Sequence, residues 1–184
     1  MERIETDLPG VCLLRPKVWN DARGFFMETY RRDIFSQLGI KDIFVQDNHS
    51  RSSRGAVRGL HYQLHHPRAK LCRVIQGEIL DVAVDIRRGS PHFGKWVAAI
   101  LSAENKQQIY IPAGFAHGYS VLSTEAEFLY KCTDVYHPED EYGVAYNDPQ
   151  LRIDWRVSEP IVSQKDQKLP PLAKIAAELL PSLR

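Results

Sequence analysis

The sequence predicts an all-β protein, an antiparallel sandwich or barrel with a few short peripheral helices. Three observations lead there. Leu80, Val82, Val84 and Ile86 alternate with Asp81, Ala83 and Asp85, the period-two pattern of a strand. From residue 55 onward, short strand-forming runs are separated by Gly and Pro turns. Helical patterns are confined to two short stretches, so helix content should be small.

Taken in order, residues 1–54 read as an irregular lead-in. Residues 11–14 form an edge strand stopped by Pro16, and Asp21-Ala22-Arg23-Gly24 forms a turn. A short helix over 31–38 ends at Gly39. Gln76-Gly77-Glu78 suits a hairpin turn into the strand at 80–86, and Gly89-Ser90-Pro91 suits another after it. Residues 96–101 read as a buried strand, followed by strands at 108–111 and 118–122. A last strand over 126–135 places Phe128, Tyr130 and Cys132 on one face. Good helix formers at 172–180, after Pro170-Pro171, predict a carboxy-terminal helix. The chain reads as one domain over 1–184: the lead-in, a barrel core over 55–150, and carboxy-terminal loops and helix over 151–184.

Composition narrows the function. A chain of 184 residues, 43% hydrophobic and 26% charged, can bury a core and keep a soluble surface. A net charge of +1 without a clustered basic face argues against nucleic acid as a partner. An anionic ligand must then be met by local cations. No apolar run approaches the roughly 20 residues of a membrane span, and the charged start Met1-Glu2-Arg3 lacks a signal core. Cys12, Cys72 and Cys132 are scattered without a Cys-x-x-Cys pair, which predicts packing roles and a reducing, cytoplasmic setting.

Several residues offer proton-transfer chemistry, although each alone has an ordinary structural role. His61 supplies an imidazole, the side-chain type most often used as a general base. Tyr130 can donate a proton, and Lys70, if it points inward, can stabilise an oxyanion. Arg23, Arg58, Lys165 and Lys168 are candidate phosphate ligands. Asp166 is of the type that holds a histidine in one tautomer. Pro112-x-Gly114-x-x-His117 resembles the second motif of cupin barrels. The partner motif would place two histidines one residue apart, but this chain has His61-Tyr62-Gln63, with His65 and His66 off that spacing. No metal site is therefore expected, and His117 is read as hydrogen-bonding or substrate-facing.

Longer phrases carry a more specific resemblance. They are Asp21-x-Arg23-Gly24-x-Phe26-x-Glu28, Phe44-Val45-Gln46-Asp47-Asn48-His49-Ser50 and Arg58-Gly59-Leu60-His61-Tyr62-Gln63. Ile111-Pro112-Ala113-Gly114-Phe115-Ala116-His117-Gly118, Glu127-Phe128-Leu129-Tyr130-Lys131, Asn147-Asp148-Pro149, Ile153-Asp154-Trp155 and Ser163-x-Lys165-Asp166 follow in order. Together they resemble the dTDP-4-dehydrorhamnose 3,5-epimerase family across nearly the whole chain. The resemblance implies a metal-free cupin jelly-roll barrel, a homodimer, no cofactor and a dTDP-sugar substrate. It implies His61 as base, oriented by Asp166, Tyr130 as acid on the opposite face, and Lys70 beside the sugar carbonyl oxygen. It further implies nucleotide-sugar contacts from Arg23, Glu28, Gln46, Asp47, Asn48, Arg58, His117, Glu141 and Lys165. Arg23 and Glu28 would reach the partner's site.

Two departures bear on the site. The family usually has Gln-Gly before the lysine, where this chain has Arg68-Ala69. In an unbroken strand Arg58 and His61 face opposite sides, so a bend or bulge is required if both touch one ligand. Rival readings are a 3- or 5-epimerase, a 3,4-ketoisomerase, a metal-dependent cupin oxygenase and a sugar-binding cupin without catalysis.

Overall fold

Side-chain alternation along short strands organises the computed structural model, which describes residues 1–183. The first strands are β1 (Glu2–Glu5), β2 (Cys12–Arg15), β3 (Val18–Asp21), β4 (Gly24–Met27), β5 (Gln46–Ser53), β6 (Ala56–Gln63) and β7 (Lys70–Gln76). There follow β8 (Glu78–Asp85), β9 (Trp96–Ser102), β10 (Gln108–Ile111), β11 (Phe115–Val121), β12 (Glu125–Cys132), β13 (Glu141–Gly143) and β14 (Ile161–Val162). The helix α1 (Arg32–Gln37) lies where residues 31–38 predicted one.

One sheet has the order β1-β2-β10-β7-β12-β5 and the other β13-β6-β11-β8-β9. The named strands of the described residues pair antiparallel, save that β14 runs parallel to β6. Two antiparallel sheets enclosing a common core are the expected jelly-roll barrel. Strands β3 and β4 form a separate hairpin whose Phe25 and Phe26 are exposed.

Three apolar clusters fix the layers. Between the sheets lie Val11, Cys72, Val74, Ile79, Ala83, Ile109, Phe115, Val121 and Phe128. Outside the second sheet, Leu80, Val82, Val84 and Ile86 pack under Trp155, Leu172 and Leu180. Outside the first, Cys12, Leu14, Leu71 and Tyr110 are covered by Phe35 of α1 and by Ile40. The alternating apolar residues of β8 therefore face away from the barrel interior, and Asp81 faces into it.

The structure corrects several expectations. Strand β2 is interior to its sheet, flanked by β1 and β10. Strand β5 is a full member of the first sheet, although residues 1–54 read as a lead-in outside the barrel. Its sequence is entirely polar because its inward side chains line a polar cavity, so no apolar alternation marks it. The chain at Gly77 passes from one sheet to the other and makes no hairpin; β7 and β8 are not neighbours. Gly77 has φ +75°, and a Cβ there would collide with the carbonyl of Glu125. By contrast, the turn at Gly89 does join paired strands, β8 and β9. Strand β9 lies at a sheet edge and is only partly buried.

The carboxy-terminal helix is absent. Residues 172–180 form two 3₁₀ turns, Leu172–Lys174 and Ala177–Leu179. A helix of that length is marginal in water by itself. Burial of Leu172 and Leu180 against the second sheet decides the path instead.

The bulge that Arg58 and His61 require is present. His61 pairs with His117 and Arg58 with Tyr119, so three steps on β6 match two on β11. Val57, Leu60 and Tyr62 then all point to the outer cluster, while Arg58 and His61 share the inner face. Gly59 makes this possible at φ +106°. A Cβ on it would stand 2.6 Å from Cα of Gly118 and from the carbonyl oxygen of His117. Gly59→Ala is expected to cost more than about 2 kcal/mol. The corresponding fall in melting temperature is about 5 °C or more, readable by calorimetry, and a smaller loss would show that the two strands can part without cost.

Candidate active site

The space between the sheets opens into a cavity of about 800 Å³. Its two walls supply different chemistry. The second sheet contributes Arg58 and His61 from β6 and His117 from β11; the first contributes Gln46, Asn48, Ser50 and Ser52 from β5, Lys70 from β7 and Tyr130 from β12. Asp166 and Lys165 enter from the segment after β14. Thus His61 and Tyr130, distant in sequence, face one cavity from opposite sheets.

His61 Nε2 lies 2.7 Å from Oδ1 of Asp166. An ionised carboxylate only accepts, so Nε2 carries the hydrogen and Nδ1 keeps its lone pair. The backbone N–H of Gly59, freed by the bulge, donates to the other carboxylate oxygen at 3.2 Å. Asp166 N–H donates to Ser163 Oγ, fixing the turn that presents the carboxylate. Burial by itself raises the Asp166 pKa, but the bonds from His61 and Gly59 outweigh it and hold the carboxyl below its usual range.

A second His–carboxylate pair lies deeper. His117 Nε2 donates to the buried Asp81 at 3.0 Å, leaving Nδ1 as an acceptor 3.4 Å from the Lys70 ammonium. Burial lowers the His117 pKa, which favours this neutral form. Burial likewise lowers the pKa of Lys70, whose ammonium has no carboxylate within ion-pair distance among the described residues. The nearby Asp81 acts on it through His117. Cys72 lies within 4.8 Å of the Asp81 and His117 ligand atoms, and burial pushes its thiol well above the ordinary range.

Tyr130 packs beside Phe128, ring centroids 5.4 Å apart. Burial pushes its phenol up to about 12, so it is protonated at neutral pH. At the rim, Glu141 accepts from Lys165 and, at 2.5 Å, from the Tyr136 hydroxyl. Arg68 lies over the Tyr136 ring at 5.4 Å. Counting cavity-lining charges, Arg51, Arg58, Arg68, Lys70 and Lys165 stand against Glu141 and Asp166. The chain is nearly neutral overall, so this local excess of cations is where an anion is met.

Most sequence candidates converge: His61, Tyr130, Asp166, Lys70, Gln46, Asn48, Arg58, His117, Glu141 and Lys165 line the cavity. Asp47 does not. It sits one residue out of phase on β5 and pairs with Lys131 at 2.8 Å on the outer face. Lys168 is outside the lining as well. Arg23 and Glu28 pair locally, with Asp21 and Arg31, at the exposed β3–β4 hairpin and just after it. Sequence reasoning missed Asp81, Arg68 and Tyr136. Asp81 had a signal: it is a carboxylate in a strand with two buried faces. Arg68 and Tyr136 had none beyond their neighbours.

Known proteins provide the comparison. A family model described as dTDP-4-dehydrorhamnose 3,5-epimerase matches residues 5–174. A Pseudomonas aeruginosa dTDP-4-dehydrorhamnose 3,5-epimerase is 54% identical over 170 residues, 91% of this chain and 94% of that protein. The crystal structure of a dTDP-6-deoxy-D-glucose-3,5-epimerase from Legionella pneumophila, in complex with dTDP-4-keto-L-rhamnose, superposes with a TM-score of 0.97. It is 51% identical, covering 100% of this chain and 98% of that one. A 3'-monoepimerase from Streptomyces bikiniensis, in complex with dTDP-quinovose, is 34% identical with a TM-score of 0.91, covering 97% and 92%.

The depressed Asp166 carboxyl carries a pH signature. Its contribution is complete above the unfolded value of about 3.9 and is lost as pH falls through the lower folded value. Asp166→Asn is expected to lose about 1–2 kcal/mol at pH 7. It should also narrow the stability difference between pH 7 and pH 3, read by urea unfolding. An undiminished difference would place the acid sensitivity elsewhere.

Proposed function

This chain belongs to the dTDP-4-dehydrorhamnose 3,5-epimerase family, and we infer from that premise that it converts dTDP-4-dehydro-6-deoxy-D-glucose to dTDP-4-dehydro-L-rhamnose. It is an isomerase, inverting C3 and C5 by proton removal and return. The observation that carries the assignment of roles is that His61 and Tyr130 line one cavity from facing sheets.

The C4 ketone acidifies the hydrogens on C3 and C5. His61 takes one of these protons on Nδ1, while Asp166 orients the ring and stabilises the imidazolium. The electron pair moves onto the carbonyl oxygen, where the Lys70 ammonium meets the developing oxyanion. His117, held by Asp81, keeps that ammonium in place. Tyr130 then returns a proton from the opposite side, which inverts the centre. Proton exchange with water then strips His61 and reprotonates Tyr130, and the same groups act on the second carbon. Arg58, Arg68 and Lys165 meet the diphosphate, with Gln46 and Asn48 beside them. No redox cofactor enters this scheme.

We also propose a cytoplasmic homodimer in which the 184 residues act as one epimerase domain, with neither nucleic acid nor membrane as partner. Support comes from the β3–β4 hairpin, which exposes Trp19, Phe25 and Phe26 beside Arg23, away from its own cavity. Arg23 and Glu28 then complete the partner's site. Among the described residues no helix is long and apolar enough to cross a membrane.

A 3-epimerase is the second reading, favoured by the likeness to the Streptomyces bikiniensis protein. A metal-dependent oxygenase fits the side chains poorly, because Lys70 places an ammonium beside Nδ1 of His117.

Incubation of the keto-sugar nucleotide in D₂O, followed by NMR at both carbons, separates these readings. Deuterium is expected at C3 and C5, with a rhamno-configured product. His61→Asn should slow exchange at both by about 10²–10⁴-fold. Tyr130→Phe should slow product formation more than exchange. Label at C3 alone supports the 3-epimerase, and near-normal turnover in both variants overturns the roles.

The dimer has its own test. Arg23→Ala and His61→Asn chains, each inactive alone, are unfolded together and refolded. Mixed dimers should regain about a quarter of the active sites, since each holds one intact site. No regain would mean that Arg23 serves its own subunit.

A further inference from the structure

Beyond the cavity, the loops at its rim bring His66, Asp134 and His137 together. One ligand atom from each lies within 4.8 Å of the others. The two imidazoles stack with centroids 3.7 Å apart and planes 12° apart, so one ring must turn about its Cβ–Cγ bond to bring both in-plane lone pairs onto one ion. Ion pairing alone does not account for the group. Asp134 stands 3.7 Å from Nδ1 of His66, beyond hydrogen-bond reach, and the His66 ring has no hydrogen-bond partner among the described residues. Glu139 accepts from Nδ1 of His137 at 3.2 Å, the carboxylate support that metal-bound imidazoles ordinarily have, and Nε2 is left free. All three side chains are partly exposed, so an ion can enter.

We propose that His66, Asp134 and His137 form a surface site for one divalent transition-metal ion, bridging the two loops that frame the cavity. Two imidazoles and a carboxylate select the Zn²⁺, Co²⁺, Ni²⁺ or Cu²⁺ class over Mg²⁺ and Ca²⁺. Water completes the coordination. The position gives the ion leverage. His66 is followed by Arg68 on its loop and by Lys70 at the start of β7, and His137 lies between Tyr136 and Glu141; these four neighbours line the cavity. An ion held there ties the two loops in the folded chain and raises its stability by mass action. The site is separate from the residues assigned to proton transfer, and it stands whether or not those roles do.

The test uses the full chain, stripped with chelator and titrated with Zn²⁺ by calorimetry and with Co²⁺ by visible absorption. One ion should bind per chain, and Zn²⁺ should raise the melting temperature. His66→Gln and His137→Gln should each weaken binding by at least about tenfold. The double variant should lose the Zn²⁺-dependent rise, while His92→Gln, on the β8–β9 loop, keeps it. Circular dichroism of the metal-free double variant confirms that it is folded. Three results overturn the proposal: no saturable binding, binding unchanged in the double variant, or a thiolate-to-cobalt charge-transfer band, which would put the ion at a cysteine.

Discussion

Two glycines meet backbone to backbone in the second sheet, and the geometry of the cavity depends on that approach. Gly59 and Gly118 leave no room for a Cβ on either strand. The extra residue on β6 shifts the phase of alternation. Without it, either Arg58 or His61 would point into the apolar layer under Trp155. With it, both face the cavity while Val57, Leu60 and Tyr62 keep their places outside. The bulge also frees the Gly59 N–H, and that donor goes to Asp166. One local distortion therefore turns the imidazole inward and helps to hold the carboxylate that sets its tautomer.

The electrostatics follow from burial working against hydrogen bonding. Asp166 is nearly buried, yet its bonds keep it ionised. Tyr130 has no such partner among the described residues, and burial keeps it protonated. An ionised carboxylate and a neutral phenol thus coexist in one cavity at one pH, because hydrogen bonds outweigh burial at Asp166 and burial prevails at Tyr130. Lys70 adds a cation that is bonded to a neutral histidine and not neutralised by a direct carboxylate contact. Such a charge remains available to an oxyanion, whereas Arg51 is already engaged by Glu125.

Three apolar layers carry these polar groups. The outer layers anchor the backs of the strands: α1 lies behind the first sheet, and the carboxy-terminal segment behind the second. The same segment delivers Lys165 and Asp166 to the cavity before it covers the sheet. One segment therefore serves both the site and the outer layer, and burial of Leu172 and Leu180 holds a stretch with good helix formers in 3₁₀ turns.

The sequence by itself determined the strand-rich class, the position of α1, most strands from residue 70 to 132, and ten of the cavity residues as a set. Those were legible because period-two alternation, turn residues and extended motifs are local signals. It left β5 unrecognised, since a polar strand lining a polar cavity has no apolar rhythm. It grouped Asp47 with Gln46 and Asn48, although alternation sends it to the outer face beside Lys131. The tertiary structure alone decided which face of β8 is interior, that Asp81 stands behind His117, and that the chain changes sheets at Gly77. These depend on contacts between residues far apart in the chain, where burial and backbone approach act and local propensity carries no information.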